Sequence, residues 1–274
     1  MCELFAISSE HPYRANRYLE EFYSHSEKHP HGWGISWRHG SPFDEQAVTI
    51  IREPKRALDS ERLRDLLASP IEHHELMAHI RYSTGTKMVE SNCHPFLEVD
   101  ITGRQWTMEH NGILFNERLT STYDAATEGD TDSERMAAFL LDVTDEAFIR
   151  GAKPDFDSRF AVLAGAIVQL ANRNRVNVIL NDGEYTYVHT NTSRCTLHWR
   201  TFQDEKSGQV TVVSTQPLGG EAEADEWKPV PPNRLIALRR GKLVRTSAPH
   251  GYRFCETILD LQRAMGVPPE DFVA

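Results

Sequence analysis

The chain has 274 residues, and 30 Lys and Arg against 40 Asp and Glu leave a formal net charge of −10 at pH 7. An acidic surface repels phosphate backbones, which excludes nucleic acid as the expected partner. Five Trp, eight Tyr and twelve Phe exclude a disordered chain, because these rings need a core to pack in.

Cys2 to Ser8 reads as a first strand, and Arg14 to Glu27 as a helix with Tyr18, Leu19, Phe22 and Tyr23 on one face. Strands follow at His31 to Trp37 and Ala47 to Arg52, then a short amphipathic helix over Ser60 to Ala68. Leu76 to Tyr82 reads as a strand that enters a polar loop, Ser83 to Cys93. Strands near Pro95 to Ile101 and Gln105 to His110 come next, the second ending at the turn signal Asn111-Gly112. Two helices are expected, Asp132 to Leu141 behind the N-cap Thr131, and Phe156 to Asn172. The second is so apolar that it should lie sandwiched between layers. Strands then recur at 176–181, 184–190, 195–202, 210–215, 234–240 and 242–246, with Gly219 to Pro232 as a surface loop. Strand blocks split by a helix pair, without βαβ alternation, indicate an α+β fold with antiparallel sheets.

The longest apolar run, Ala161 to Val168, is far short of the ~20 residues a membrane helix needs. The start MCELFAISSE has neither a basic segment nor a long apolar one, so no secretory signal is expected. The cysteines at 2, 93, 195 and 255 form no CxxC, which reads as reduced thiols of a cytoplasmic protein; Cys93, Cys195 and Cys255 are expected to be buried.

Four places carry residue types suited to chemistry. Once Met1 is removed, Cys2 joins a thiol to a free α-amine of pKa about 7.7, which can take and return its proton. A small apolar residue opening a strand is the plainer reading. Arg81, in Ala78-His79-Ile80-Arg81-Tyr82-Ser83-Thr84, offers a planar fork to a carboxylate or is a solvated charge. Asn111-Gly112 supplies a side-chain amide and an unobstructed backbone N–H for an oxyanion, or is only a turn. Gly129 to Glu134 places acidic groups at a helix start, which is also ordinary capping.

Taken in order, Cys-Glu-Leu at the start, HGWGI, AHIRYST, HPF, HNGIL and DTDSE resemble the class II, N-terminal-nucleophile glutamine amidotransferases, most closely their small stand-alone members. NVILNDGEYTYVHTNTS, LHWRT and VTVVSTQPLGGE extend the likeness over most of residues 2 to 246. The resemblance implies a four-layer αββα sandwich of the Ntn-hydrolase type spanning 2–250, with 251–274 as a C-terminal helix or tail packed on it. It implies Cys2 as nucleophile and Asn111 and Gly112 as the oxyanion pair. Arg81, Thr84 and Asp132 would bind the substrate, Arg81 taking the α-carboxylate of glutamine and Asp132 its α-ammonium. The implied partners are L-glutamine or a γ-glutamyl amide, and a separate ammonia-accepting synthase subunit; a non-catalytic glutamine-binding subunit is the alternative from another class. Two positions depart from the large fused synthases, which carry Gly after the cysteine and Trp after the arginine; here they are Glu3 and Tyr82. Glu3 must therefore point away from the pocket.

Other features are set aside. His25, His29 and His31, and His73, His74 and His79, form no HExxH or Cys/His knuckle, so no metal is expected. His79, His94 and His110 are taken as structural. Ser83 lacks a GxSxG elbow, and without GxGxxG or Walker A sequences no nucleotide cofactor is expected.

Overall fold

The computed structural model of the chain describes residues 2–254 apart from 45, 84 and 193–195. Its strands are β1 (Glu3–Arg14), β2 (Trp33–Arg38), β3 (Val48–Glu53), β4 (Glu72–Ile80), β5 (Phe96–Val99), β6 (Gln105–His110), β7 (Val178–Asn181), β8 (Thr186–Thr190), β9 (His198–Asp204), β10 (Gly208–Ser214), β11 (Lys228–Pro229), β12 (Arg234–Arg239) and β13 (Lys242–Thr246). Its helices are α1 (Asn16–Ser24), α2 (Glu61–Leu67), α3 (Asp132–Ile149) and α4 (Phe156–Ala171). One sheet runs β11-β9-β10-β1-β4-β2-β3 and the other β13-β12-β8-β7-β6-β5, with antiparallel pairing throughout.

Alternation along β1 shows how the layers form. Leu4 and Ala6 turn toward the second sheet and meet Ile179, Val188 and Ile236. Phe5 and Ile7 turn the other way and pack with Tyr18, Leu19 and Phe22 of α1. On the far side of the second sheet, Met136 and Leu140 of α3 and Leu163 and Ile167 of α4 cover Trp106, Met108, Val178 and Tyr187. The result is the expected α+β sandwich, helices outside and two sheets inside.

Several boundaries differ from the sequence reading. β1 continues past Ser8 to Arg14 because its second half pairs with the start of β4, Tyr13 opposite His73. Helix α3 runs on from Leu141 to Ile149, with the Thr144 hydroxyl donating back to the Leu140 carbonyl at 2.8 Å. Helix α4 is not sandwiched: it is an outer-layer helix with Ala161, Gly165 and Gln169 exposed. Its inner side is apolar as expected, but Ala and Gly on the solvent stripe hid the exposed face. The 219–232 stretch is also more than a surface loop. Trp227 and Val230 are buried, and β11 pairs with β9. Phe254 stacks on Phe115 at 5.7 Å. The expected tail beyond it lies outside the described residues, as do Cys195 and Cys255. Among the described residues no helix is long and apolar enough to cross a membrane.

Candidate active site

Cys2 precedes β1, and Arg81 follows β4 at the neighbouring strand end, where Glu3 lies opposite Ile80. Asn111 and Gly112 follow β6 in the facing sheet. The half-buried Cys2 shares with Leu4 the face of β1 that looks between the sheets, and its Sγ accepts the Tyr82 backbone N–H at 3.3 Å. Burial pushes the thiol above its usual pKa; the Tyr82 hydrogen bond and the charges of Arg81 and Arg175 pull it back down. The thiol therefore needs a base to become a nucleophile at neutral pH.

Residues 111–113 are fastened to residues 175–177. The Asn111 N–H donates to Asn177 O at 2.9 Å, Asn177 Nδ2 to Asn111 O at 3.0 Å, and Ile113 and Arg175 exchange two backbone bonds of 3.1 Å. Arg175 Nη2 donates to Asn111 Oδ1 at 3.0 Å. That contact fixes which way the amide points, leaving Asn111 Nδ2 enclosed and without an acceptor among the described residues. A buried donor left open costs about 1–3 kcal/mol, so such a group marks a place where a ligand atom belongs. The next residue must be glycine. A Cβ on Gly112 would come within 2.0 Å of Arg175 O and 2.2 Å of His110 Nε2.

The other expected substrate residues are held by the same loops. Arg81 is buried, its Nη1 donating to His31 O at 3.3 Å and its Nη2 to the Thr86 hydroxyl. The guanidinium is thus braced and not a solvated charge; among the described residues these contacts use two of its five N–H donors. Thr84 lies outside the described residues. Asp132 opens α3, and its Oδ2 accepts the Leu114 N–H at 2.8 Å, which ties the helix start to the Asn111–Gly112 segment. His110 serves the same junction, its Nδ1 lying 3.0 Å from Ser133 Oγ. Thr131 caps the helix through the Glu134 N–H at 3.2 Å.

Glu3 turns away from Cys2, as strand alternation requires. Its buried carboxylate meets His25 Nδ1 at 2.8 Å and the side chain of Gln216, with His29 Nε2 at 3.8 Å. The hydrogen bond to Glu3 raises the His25 pKa. Two members of the His25–His29–His31 cluster therefore serve this carboxylate. The third, His31, accepts the Ser83 N–H on Nδ1 at 2.8 Å. The His79 and His94 rings meet at 4.2 Å in a tilted contact in the interior, and burial holds both well below the usual imidazole range. Among the described residues no three His, Cys, Asp or Glu side chains are grouped to hold a metal.

Sequence reasoning missed two braces. Arg175 falls between the helix expected to end at Asn172 and the strand expected from 176, where no element or role is assigned, and it is 2% exposed. Asn92 is buried and donates to Lys87 O at 2.9 Å and to Asp130 Oδ1 at 2.6 Å, while its Oδ1 accepts the Asp130 N–H at 2.9 Å. It thereby couples the loop after Arg81 to the segment before Asp132. One signal did point here: HGWGI needs its second glycine because a Cβ at Gly34 would lie 1.9 Å from His94 O. The Asn92 loop presses directly on β2.

The family model described as Glutamine amidotransferases class-II matches residues 1–204. YafJ of Escherichia coli (strain K12), which carries a provisional glutamine amidotransferase name, is 27% identical over 232 residues, covering 77% of this chain and 86% of YafJ. A crystal structure of a predicted glutamine amidotransferase from Pseudomonas aeruginosa PA01 superposes with a TM-score of 0.64 at 21% identity, over 89% of this chain and 100% of that one. Glutamine phosphoribosylpyrophosphate amidotransferase from B. subtilis gives 0.62 at 16% identity, over 90% of this chain and 49% of its own.

Proposed function

Since the chain belongs to the class-II glutamine amidotransferases, we propose that it hydrolyses the side-chain amide of L-glutamine to glutamate and ammonia through a thioester on Cys2. The observation that carries this reading is the open Asn111 amide, turned by an arginine whose charge also reaches the Cys2 thiol. In the proposed cycle the α-amine of Cys2, freed by removal of Met1, takes the thiol proton. The thiolate attacks the amide carbon, and Asn111 Nδ2 with the Gly112 N–H receives the oxyanion. The amine returns its proton to departing ammonia, and water then hydrolyses the thioester. Arg81 and Asp132 hold the α-carboxylate and α-ammonium of free glutamine. A glutamine inside a peptide lacks both charges and is rejected. The Arg-aromatic-small-Thr motif of the family implies that Thr84 also contributes to substrate binding.

The test is intact-mass spectrometry before and after exposure to a glutamine-mimicking diazo-ketone, with peptide mapping. A single adduct on Cys2 of a methionine-free chain is expected. A folded, methionine-free chain that takes no adduct refutes the assignment.

A further inference from the structure

The end of the sandwich opposite Cys2 holds a cleft of about 420 Å³, where β2 and β12 finish and β4 begins. Arg38, His39, His74, Glu75, Arg239 and Arg240 line it, an unusual gathering of cations on a chain of net charge −10. Glu184 lines the cleft as well, and Asp182 and Glu75 act on Arg38 at longer range, but among the described residues no carboxylate forms an ion pair with Arg38, Arg239 or Arg240. Asp182 is taken by Arg159 at 2.8 Å, and Glu184 by Arg104 at 3.1 Å and Arg159 at 3.2 Å. Glu75 lies beneath, bonded by Ser8 at 2.9 Å, Asn181 at 3.2 Å and Thr186 at 2.5 Å, and burial pushes its pKa up to about 8.

The side chains of Arg38 and Arg239 and the backbone of Arg240 are held in place. Arg38 Nη2 donates to Asn181 O at 2.7 Å, while its Nη1 is enclosed with no acceptor among the described residues. Arg239 lies over the Tyr185 ring at 5.1 Å. Arg240, at φ 48°, turns the chain into Gly241. That glycine is pinned by its N–H to Ser8 Oγ at 3.0 Å and by its carbonyl to Thr211 Oγ1 at 2.8 Å. The turn is thus anchored on the first sheet and presents its two arginines from a rigid base.

We propose that this cleft binds a phosphorylated small molecule, its phosphate held by the guanidinium groups of Arg38, Arg239 and Arg240. Phosphate suits the site better than a carboxylate, since a dianion answers several cations at once and its oxygens match arginine forks. The volume is that of a small-molecule pocket. The site is separate from the Cys2 chemistry and does not depend on it.

Isothermal calorimetry on the full chain would test this with inorganic phosphate, ribose 5-phosphate and adenosine monophosphate, ionic strength being matched with sodium chloride. The variants are Arg239→Gln and Arg240→Asn, the latter because asparagine tolerates the left-handed backbone there. Thermal melts by circular dichroism confirm that both fold. Saturable binding of any probe, weakened about tenfold or more by each variant, supports the site. Equal affinity for inorganic phosphate and an ester assigns recognition to the phosphate alone, and tighter binding of an ester adds the cleft walls. No binding tighter than about 1 mM, or binding that the folded variants leave unchanged, overturns the proposal.

Discussion

Replacing Arg175 by Gln tests whether the oxyanion donor is held ready or merely present. The substitution removes the 3.0 Å bond to Asn111 Oδ1 and frees the amide to turn its own oxygen toward the reacting carbonyl. A hydrogen bond from a charged group is worth about 1.5–3 kcal/mol, which sets the expected loss at roughly 10- to 150-fold. Loss of a whole oxyanion donor costs ~10²–10³, so the result should fall at or below that ceiling. The fall belongs in kcat, with KM within about threefold, because Arg81 and Asp132 are untouched. Arg175 also lowers the Cys2 pKa, so Arg175→Gln should move the rise of the pH–rate profile toward higher pH, and Arg175→Lys should restore its position. The assay is glutamate release at saturating glutamine, repeated in an Asn111→Ala background. There Arg175→Gln should cost less than about threefold, since the amide it orients is gone. The reasoning is refuted if kcat is retained in the single variant, or if the loss is as large without Asn111 as with it.

Gly112→Ala drives a Cβ to within 2.0 Å of Arg175 O, so turnover should fall by ~10² or more and the melting temperature by several degrees; an active alanine variant contradicts the close approach. Asn92→Ala unties Lys87 and Asp130, and KM for glutamine should rise about tenfold, with the smaller change in kcat. Glu75 has a folded pKa of about 8 against an ordinary 4.5, so the native state holds a proton that the unfolded chain releases. Stability therefore declines as pH rises through that interval, by at most about 5 kcal/mol, and levels off above it. Glu75→Gln should flatten the slope in urea titrations between pH 5 and pH 8, and an unchanged slope shows the carboxyl to be ionised.

The strands of both sheets were legible because apolar residues alternate where one face is buried, as along Leu4 to Ile7. The second half of β1 was not, since residues 10–14 are mostly exposed and owe their extended form to β4 and not to a buried face. Helix α4 was found but misplaced, because Ala and Gly carry no sign of which side faces water. Cys2, Arg81, Asn111, Gly112 and Asp132 stood out through their motifs. Arg175 and Asn92 could not, for each acts through a contact made far along the chain. Arg175 meets Asn111, 64 residues away, and Asn92 meets Asp130, 38 away. One-dimensional patterns report periodic burial; they do not report which polar side chain closes a distant loop.

This division has a physical origin. An oxyanion donor lowers a barrier only if it is already aimed when the charge develops, so its orientation must be maintained in the empty site. The cost of keeping Asn111 Nδ2 enclosed and unpaired is about 1–3 kcal/mol. Four of the hydrogen bonds joining 111–113 to 175–177, those that involve the backbone, are each worth about 0.5–1.5 kcal/mol, enough to offset it. Glycine at 112 permits that zipper, and Arg175 selects the amide face, so residues from two distant segments form one rigid unit. Removing any part of the unit should then resemble removing Asn111 itself, a non-additivity that independent contacts would not produce.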